Sequence, residues 1–239
     1  MRSKGLWLVA AFIVLHAAQV LAFQANYIVR AMGLKVAKID ILENISEGKV
    51  EVTAVSLMSN KMFPRINNHY WVDFNDQYLP GTYTRTIDQD NSQDSVFVVY
   101  DHANSKASMY RRSTKTRQNY SLIYQTRDFF SLMMGLSKGK VKSGKHYVEG
   151  NGIIWQAIVE KKETEILKTK LGRFRAQRYK MEFKNTSDNK MPYIDMVTHN
   201  LLNNDTTVNI WVSENGLVIK ASVTKGLISM VWELLSFHK

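Results

Sequence analysis

The clearest pattern of hydrophobic and polar positions lies near the C-terminus of the chain. Val208, Ile210 and Val212 occupy every second position of one run, and a similar alternation continues from 217 to 224. Apolar side chains at every second position predict strands with one buried face. Between the two runs lies Asn215-Gly216, a pair that favours the positive φ angles of a tight hairpin turn. The sequence therefore predicts an antiparallel hairpin here.

A third run, from Leu227 to Phe237, carries apolar residues on both of its faces. Ile228 and Trp232 lie on one face of a strand in this register, and Val231 and Leu235 lie on the other. A strand that is apolar on both faces is typical of a sheet covered from both sides. We therefore expect this last strand to be buried on both faces.

The rest of the chain after Tyr27 also consists mainly of strand patterns. The segment 27–42 predicts one long strand with a kink at Gly33. Further predicted strands cover 50–58, 68–74, 82–87, 96–100, 106–112, 146–148, 153–159, 163–169 and 174–183. Turn signals separate them at short intervals, which is typical of an antiparallel meander. We predict an all-β, mainly antiparallel fold: a single strongly curved sheet, barrel-like or half-barrel, with one short helix.

The helix is predicted from Asp128 to Leu136. Thr126-Arg127-Asp128 offers a helix start, and Phe129, Leu132, Met133 and Leu136 then recur at helical spacing. These four residues form a stripe that can pack on a sheet.

Phe130 and Met134 form a second apolar stripe on the same helix. If the helix plugs the barrel, this second stripe belongs to the core. If the helix is a lid, the second stripe lines a cavity, and flexible methionine suits a surface that accepts varied chains. The candidate ligand-binding residues are Phe129, Phe130, Met133 and Met134.

The N-terminus has the pattern of a secretory signal peptide. Arg2 and Lys4 precede an apolar run from Leu6 to Val14, and Val20-Leu21-Ala22 places small residues at positions −3 and −1 of a cleavage site. A membrane anchor is the alternative, but the apolar run is shorter than the ~20 residues that span a bilayer. We predict a signal peptide at 1–22 and a single β-rich domain at 23–239.

The chain contains no cysteine, so it forms no disulfide and has no lipid-bearing cysteine after Ala22. Export without disulfides is more typical of a bacterial periplasm than of a eukaryotic secretory path. We therefore expect a periplasmic protein that does not span the membrane once the signal peptide is removed.

The chain is strongly basic. Its formal net charge is +11, and removal of Arg2 and Lys4 leaves +9. Arg173, Arg175 and Arg178 belong to the longest cluster and are predicted to alternate along one face of a strand. A basic face attracts anionic lipid head groups or acidic polysaccharide, although solvated strand faces have the same composition. A nucleic-acid partner is not expected, because no nucleic-acid-binding motif is present.

Three short motifs resemble sites of chemistry but lack essential parts. Gly135–Gly139 matches G-x-S-x-G, yet an apolar helix precedes the serine instead of a strand. Gly139–Lys145 resembles a phosphate-binding loop, but His146 follows where serine or threonine should stand. Asp88–Gln93 resembles a calcium loop without its glycine. We therefore expect no catalytic residues, metal or cofactor, and no enzymatic activity.

Five stretches together resemble a family of exported bacterial proteins, domain of unknown function 3108. They are Gly33–Ala37, Leu79-Pro80, Arg127–Leu132, Leu171–Ala176, and Ile210–Ser213 continuing through Leu217-Val218. The resemblance implies an all-β, barrel-like or half-barrel domain of the cell envelope, with no catalytic residues to carry over. Its architecture is similar to that of periplasmic lipoprotein carriers, in which a curved sheet holds acyl chains under helices.

Two functional hypotheses follow. The first is a non-enzymatic periplasmic protein whose concave sheet binds an apolar or acyl-bearing envelope component, such as a lipid or lipoprotein. The alternative is a scaffold protein whose basic surface binds peptidoglycan, polysaccharide or a protein partner.

The signal-peptide prediction is checked by sequencing the N-terminus of the exported protein. Cleavage after Ala22 makes Phe23 the first residue of the mature chain. Retention of Met1 together with membrane association would show that the segment is an anchor.

Overall fold

The computed structural model describes residues 22–60, 63–90 and 92–238, which form fourteen strands and two helices. The N-terminal half contains β1 (Ala22–Ala31), β2 (Leu34–Asn44), β3 (Lys49–Ser56), β4 (Asn67–Phe74), β5 (Pro80–Gln89), β6 (Ser92–Asp101), β7 (Lys106–Arg111) and β8 (Thr116–Ser121). After α1 (Phe129–Ser137) come β9 (Gly144–Gly150), β10 (Ile153–Thr169), β11 (Gly172–Asn185), α2 (Met196–Leu201), β12 (Thr206–Ser213), β13 (Val218–Lys225) and β14 (Ile228–His238).

All fourteen strands belong to one antiparallel sheet in the order β8-β7-β6-β5-β4-β3-β2-β1-β14-β13-β12-β11-β10-β9. Every pair in this sheet joins strands that are consecutive in the chain, except β1 and β14, which come from the two ends of the described chain. The consecutive strands β8 and β9 do not pair with each other. The edges are β8 and β9, and the sheet stays open between them. The predicted all-β half-barrel is confirmed.

The predicted long strand with a kink at Gly33 is wrong. The chain reverses there, so β1 and β2 form a hairpin in which Ala31 pairs with Leu34. Met32 and Gly33 make the turn with φ angles of 49° and 81°. A turn with positive φ at both central residues matches the twist of a hairpin, and only Gly33 signals it in the sequence.

The predicted C-terminal hairpin is confirmed. The amide of Gly216 donates to the carbonyl of Ser213 at 2.9 Å. The prediction that β14 is covered on both faces is wrong, because Leu235 and Phe237 remain 41% and 37% exposed. The two segments predicted at 153–159 and 163–169 form one strand, β10, with an irregularity between 161 and 164.

Helix α1 lies inside the curved sheet. Asp128 caps it, with a side-chain oxygen that accepts hydrogen bonds from the amides of Phe130 and Ser131 at 2.8 and 3.1 Å. Every residue of the helix is buried, so both of its apolar stripes belong to the core. At Gly135 a side chain would lie only 2.5 Å from Val141, so the helix approaches the following loop closely.

A second helix, α2, was not predicted. It has six residues, and its N-cap is Asp195, which accepts a hydrogen bond from the Thr198 amide at 2.7 Å. Its buried residues are Thr198 and Leu201. Neither helix among the described residues is long and apolar enough to cross a membrane. Residues 1–21 of the predicted signal peptide lie outside the described residues.

We predict that Phe130→Ala lowers the free energy of unfolding by about 3 to 5 kcal/mol, as expected for truncation of a fully packed aromatic side chain. Phe130 is 2% exposed, and its ring lies 5.1 Å from that of Tyr70. Urea denaturation measures the change. Phe97→Ala is the control, because Phe97 is partly exposed on β6 and should cost less than about 1 kcal/mol. Equal effects would show that α1 is not part of the core.

Candidate functional site

An apolar pocket of about 340 Å³ lies at the end of the sheet that holds the β1–β2 and β13–β14 turns. Its lining is almost entirely aliphatic, aromatic or methionine side chains from five strands, α2 and the segment after β3: Val29, Met32, Val36, Ala37, Ile39, Ala54, Phe63, Pro64, Ile66, Met196, Val197, Leu201, Val223, Ile228, Met230 and Trp232. The volume falls within the range of ligand sites in proteins, roughly 300 to 1,000 Å³.

The floor of the pocket is the concave face of the sheet. Val29 pairs with Trp232 across β1 and β14, and both side chains line the pocket. Ile39 on β2 pairs with Ala54 on β3 and continues the same face. These four residues are buried, which makes the floor a fixed part of the core.

The roof of the pocket is α2. Met196 and Val197 are half-buried, and Leu201 is fully buried. Because the helix has only six residues, it covers the sheet over a short length. Part of the apolar floor therefore has no side chain of α2 above it, and the pocket occupies this space.

Polar groups are few in this pocket and lie near its mouth. Lys225, Asn200 and Ser56 contribute to the lining. The Nζ atom of Lys225 donates a hydrogen bond to Oδ1 of Asn200 at 3.3 Å. An apolar pocket with an ammonium group and an amide at one end is suited to a ligand with an apolar body and a polar end.

A buried ion pair connects the roof to the sheet. Nη1 of Arg85 on β5 lies 2.7 Å from Oδ2 of Asp195, the N-cap of α2. The same nitrogen donates to Oγ1 of Thr198 at 2.9 Å, and Nη2 donates to Oδ1 of Asn151. Tyr70 completes the cluster by donating its hydroxyl to Asp195 at 3.2 Å. Arg85 and Asp195 are almost wholly buried, so each neutralises a charge that would otherwise be very costly there.

A second group of buried polar residues lies between α1 and β9. Glu149 accepts the Tyr100 hydroxyl at 2.9 Å and the Gly152 amide at 2.7 Å. Asp128 lines the same small cavity, whose volume of about 10 Å³ holds at most one water. Burial raises the pKa of Asp128 to about 6, although hydrogen bonds from Ser131 and from backbone amides oppose the shift. Asp128 caps α1, and Glu149 binds the amide of Gly152 in the turn after β9.

The structure brings the four predicted ligand-binding residues together, but it places them in the core. Phe129, Phe130, Met133 and Met134 are at most 6% exposed. None of them lines the 340 Å³ pocket. Their role in ligand binding stays a prediction, while the position of α1 favours the plug interpretation over the lid.

The predicted common face of the three arginines is wrong. Arg178 is three residues from Arg175 on β11, which pairs with β12 without an irregularity, so the two side chains lie on opposite faces. Arg178 forms ion pairs with Glu163 and, at 3.3 Å from Nε, with Glu165. Arg173 and Arg175 are exposed on a hairpin end that extends past the neighbouring strands. Their binding to anionic surfaces stays a prediction.

The short motifs take structural positions. The hydroxyl of Ser137, within G-x-S-x-G, donates to the Met134 carbonyl at 2.8 Å at the buried end of α1. Within the described part of the chain, no group of three or more His, Cys, Asp or Glu side chains could hold a metal ion.

The pocket was not found from the sequence, because its lining comes from strands that are far apart in the chain. The one local signal was Asp195, three residues before Thr198. This is the spacing between an N-cap residue and the backbone amide that donates a hydrogen bond to its side chain. The six residues that follow are too few for an apolar period to be recognised.

The fold and pocket define a class of single-sheet, β-barrel-like proteins with an apolar pocket in the concave face. No family model matches the chain, and no curated protein matches its sequence. Its structure is similar to the crystal structure of a β-barrel-like protein of domain of unknown function 1849 from Brucella abortus, with a TM-score of 0.58 and 10% identity over 90% of this chain and 96% of the other. This likeness supports the fold.

A second solved structure is more distant. It is a protein from Bacteroides fragilis that is predicted to be exported and has a YmcC-like fold, with a TM-score of 0.34 and 10% identity over 91% of this chain and 95% of the other. Membership of domain of unknown function 3108 stays a prediction.

The raised pKa of Asp128 predicts a measurable pH dependence. The unfolded carboxyl ionises near its ordinary value of 3.8 and the folded one near 6, so the folded state holds the proton more tightly. The stability that this proton contributes is complete below about pH 4 and is lost as the pH rises through 6.

Asp128→Asn removes this dependence while keeping a good N-cap. Relative to wild type, the free energy of unfolding of the variant should rise by about 1 kcal/mol between pH 5 and pH 7.5, measured by urea denaturation. Parallel pH profiles for the two proteins would contradict the raised pKa.

Proposed function

We propose that this protein is a non-enzymatic binding protein that holds an apolar or acyl-bearing molecule in the concave face of its sheet. The observation that carries the proposal is the 340 Å³ pocket with its almost wholly apolar lining. A surface of this kind is unfavourable in water, and burying it against an apolar ligand contributes roughly 25 cal/mol per Å².

The polar mouth suggests how the ligand lies. Lys225 and Asn200 are the polar groups best placed to meet a carboxylate, phosphate or ester at the open end. The chain of the ligand then extends over Val223 and Trp232 toward the floor. The ligand class is therefore an amphiphile with a single apolar chain and a polar, preferably anionic, end.

The site of action that we propose is the bacterial periplasm. The sequence pattern of the signal peptide supports export, as does the resemblance of five stretches to domain of unknown function 3108. A periplasmic acyl-binding protein would act on lipids or lipoproteins of the envelope.

The alternative is a scaffold that binds an acidic glycan or protein through its basic surface. The exposed hairpin end with Lys168, Lys170, Arg173 and Arg175 supports it. This alternative requires no ligand in the pocket, so the two proposals separate in a direct binding assay.

The test uses a fluorescent fatty acid in solution without lipid vesicles. Ala54→Phe introduces a ring at a buried position that lines the pocket, and we expect the affinity for the probe to fall at least tenfold because the ring occupies the ligand volume. Thermal unfolding shows whether the variant is folded. Binding of the probe to folded Ala54→Phe with unchanged affinity would reject the pocket.

The role of Lys225 is tested with probes of different charge. Lys225→Ala should weaken binding of the fatty acid about fivefold, which corresponds to the ~1 kcal/mol of a partly exposed charge pair, and should leave binding of the matching fatty alcohol unchanged. Lys220→Ala is the matched control, since Lys220 lies on the same strand but stacks on Trp211 at 4.7 Å. Equal losses for the two variants would show a general charge effect.

A further inference from the structure

Five large hydrophobic side chains are exposed at the pocket end of the sheet. They are Met32 and Leu34 at the β1–β2 turn, Leu57 after β3, and Leu227 and Ile228 at the β13–β14 turn. Leu227 is fully exposed, and the other four are about half exposed or more. We refer to these five residues as the apolar rim.

Strand pairing places the members of the rim next to one another. Ala31 pairs with Met230, so the turn that contains Met32 lies beside the start of β14. The Leu57 amide donates to the Val36 carbonyl at 2.9 Å, which brings the end of β3 beside the start of β2. Three neighbouring connections of the sheet therefore present apolar side chains at the same end.

The rim also borders the pocket on the side of the sheet. Met32 and Ile228 belong both to the rim and to the pocket lining. An apolar surface thus continues from the exposed turns into the interior, with Lys225 beside the passage.

The charges at this end leave an excess of basic groups. Arg30 pairs with Glu233 at 2.9 Å. Neither Lys35 nor Lys225 forms an ion pair with a carboxylate in the described part of the chain, and the nearby opposing carboxylate is Asp205, next to the residue that pairs with Lys225. This small excess adds to the formal net charge of +11 of the whole chain.

We propose that the apolar rim docks this end of the sheet on an anionic lipid bilayer. Apolar side chains on neighbouring turns, flanked by lysines, are suited to insertion among lipid head groups, where apolar area and attraction to anionic lipid both contribute. A stable protein interface needs a continuous surface of about 800 Å² on each partner. The rim instead consists of side chains on three turns beside the pocket. Docking would let an acyl chain pass between bilayer and pocket without crossing water, and this consequence rests on the proposed function.

The experiment measures co-sedimentation with vesicles of phosphatidylethanolamine and phosphatidylglycerol. It uses the exported protein, whose N-terminus is first determined by sequencing. Leu227→Ser should weaken binding about tenfold, because a leucine side chain no longer enters the head-group region. Binding of the wild type should also weaken with added salt and on vesicles of phosphatidylcholine alone, since the lysines then lose their attraction to lipid. Ile166→Ser is the matched control: Ile166 is 64% exposed on the β10–β11 hairpin, outside the rim.

Failure of the wild type to bind vesicles, or equal losses for Leu227→Ser and Ile166→Ser, would overturn the proposal. So would a dimer in sedimentation equilibrium that Leu227→Ser dissociates, because the rim would then cover a second copy of the chain. The probe assay without vesicles separates this proposal from the pocket: Leu227→Ser should bind the fatty acid normally, and Ala54→Phe should still bind vesicles. If the wild type binds vesicles but does not bind the fatty-acid probe, the proposed function of the pocket is rejected and the docking proposal stands.

Discussion

The pairing of β1 with β14 is the constraint on which the rest of the structure depends. Each of the other strand pairs joins neighbours in the sequence, so two meanders could form locally, β1 to β8 and β9 to β14. The pairing of the terminal strands joins them into one sheet, from Gln24 opposite His238 to Ala31 opposite Met230. Contacts between residues so distant in sequence close a long loop, which costs chain entropy. Burial of apolar side chains, here Val29 and Trp232, offsets this cost. The pocket floor lies on this junction.

A sheet curved in this way encloses a volume that its own side chains do not fill. At one end α1 fills it with aromatic, leucine and methionine side chains on both stripes, and no residue of the helix is exposed. At the other end the helix is short, and a buried ion pair attaches it together with the buried side chain of Leu201. Replacement of a buried ion pair by well-packed apolar residues is often neutral or stabilising. The main effect of the Arg85–Asp195 pair is therefore to fix the position of α2, and its contribution to the free energy of unfolding is smaller. The position of α2 in turn sets the height of the pocket roof.

Much of the fold could be predicted from the sequence because strand periodicity and turn chemistry act locally. The hairpin at Asn215-Gly216 and the helix capped by Asp128 were both predicted. The turn at Met32-Gly33 was missed because Met32 adopts a positive φ that methionine does not signal. The exposed side chains of β14 were missed because an apolar pattern on both faces of a strand does not show whether another part of the chain packs against each face. The 340 Å³ pocket was missed for a related reason, since it depends on the register of strands far apart in the chain. The aromatic and methionine content of α1 suits a core helix and a ligand site equally, so the sequence does not decide between them.

The two ends of the half-barrel therefore differ in their physical properties. At the α1 end the buried helix fills the interior, and Lys138 pairs with the buried Glu43 at 2.7 Å. At the α2 end the apolar interior continues to the surface through Met32 and Ile228. Exposure of connected apolar area at one end lowers stability in water unless that area is covered, and large patches of this kind mark binding surfaces. Under the proposed function, the short roof helix, the open pocket and the apolar rim form one arrangement, in which an apolar partner replaces packing that the chain itself does not supply at this end.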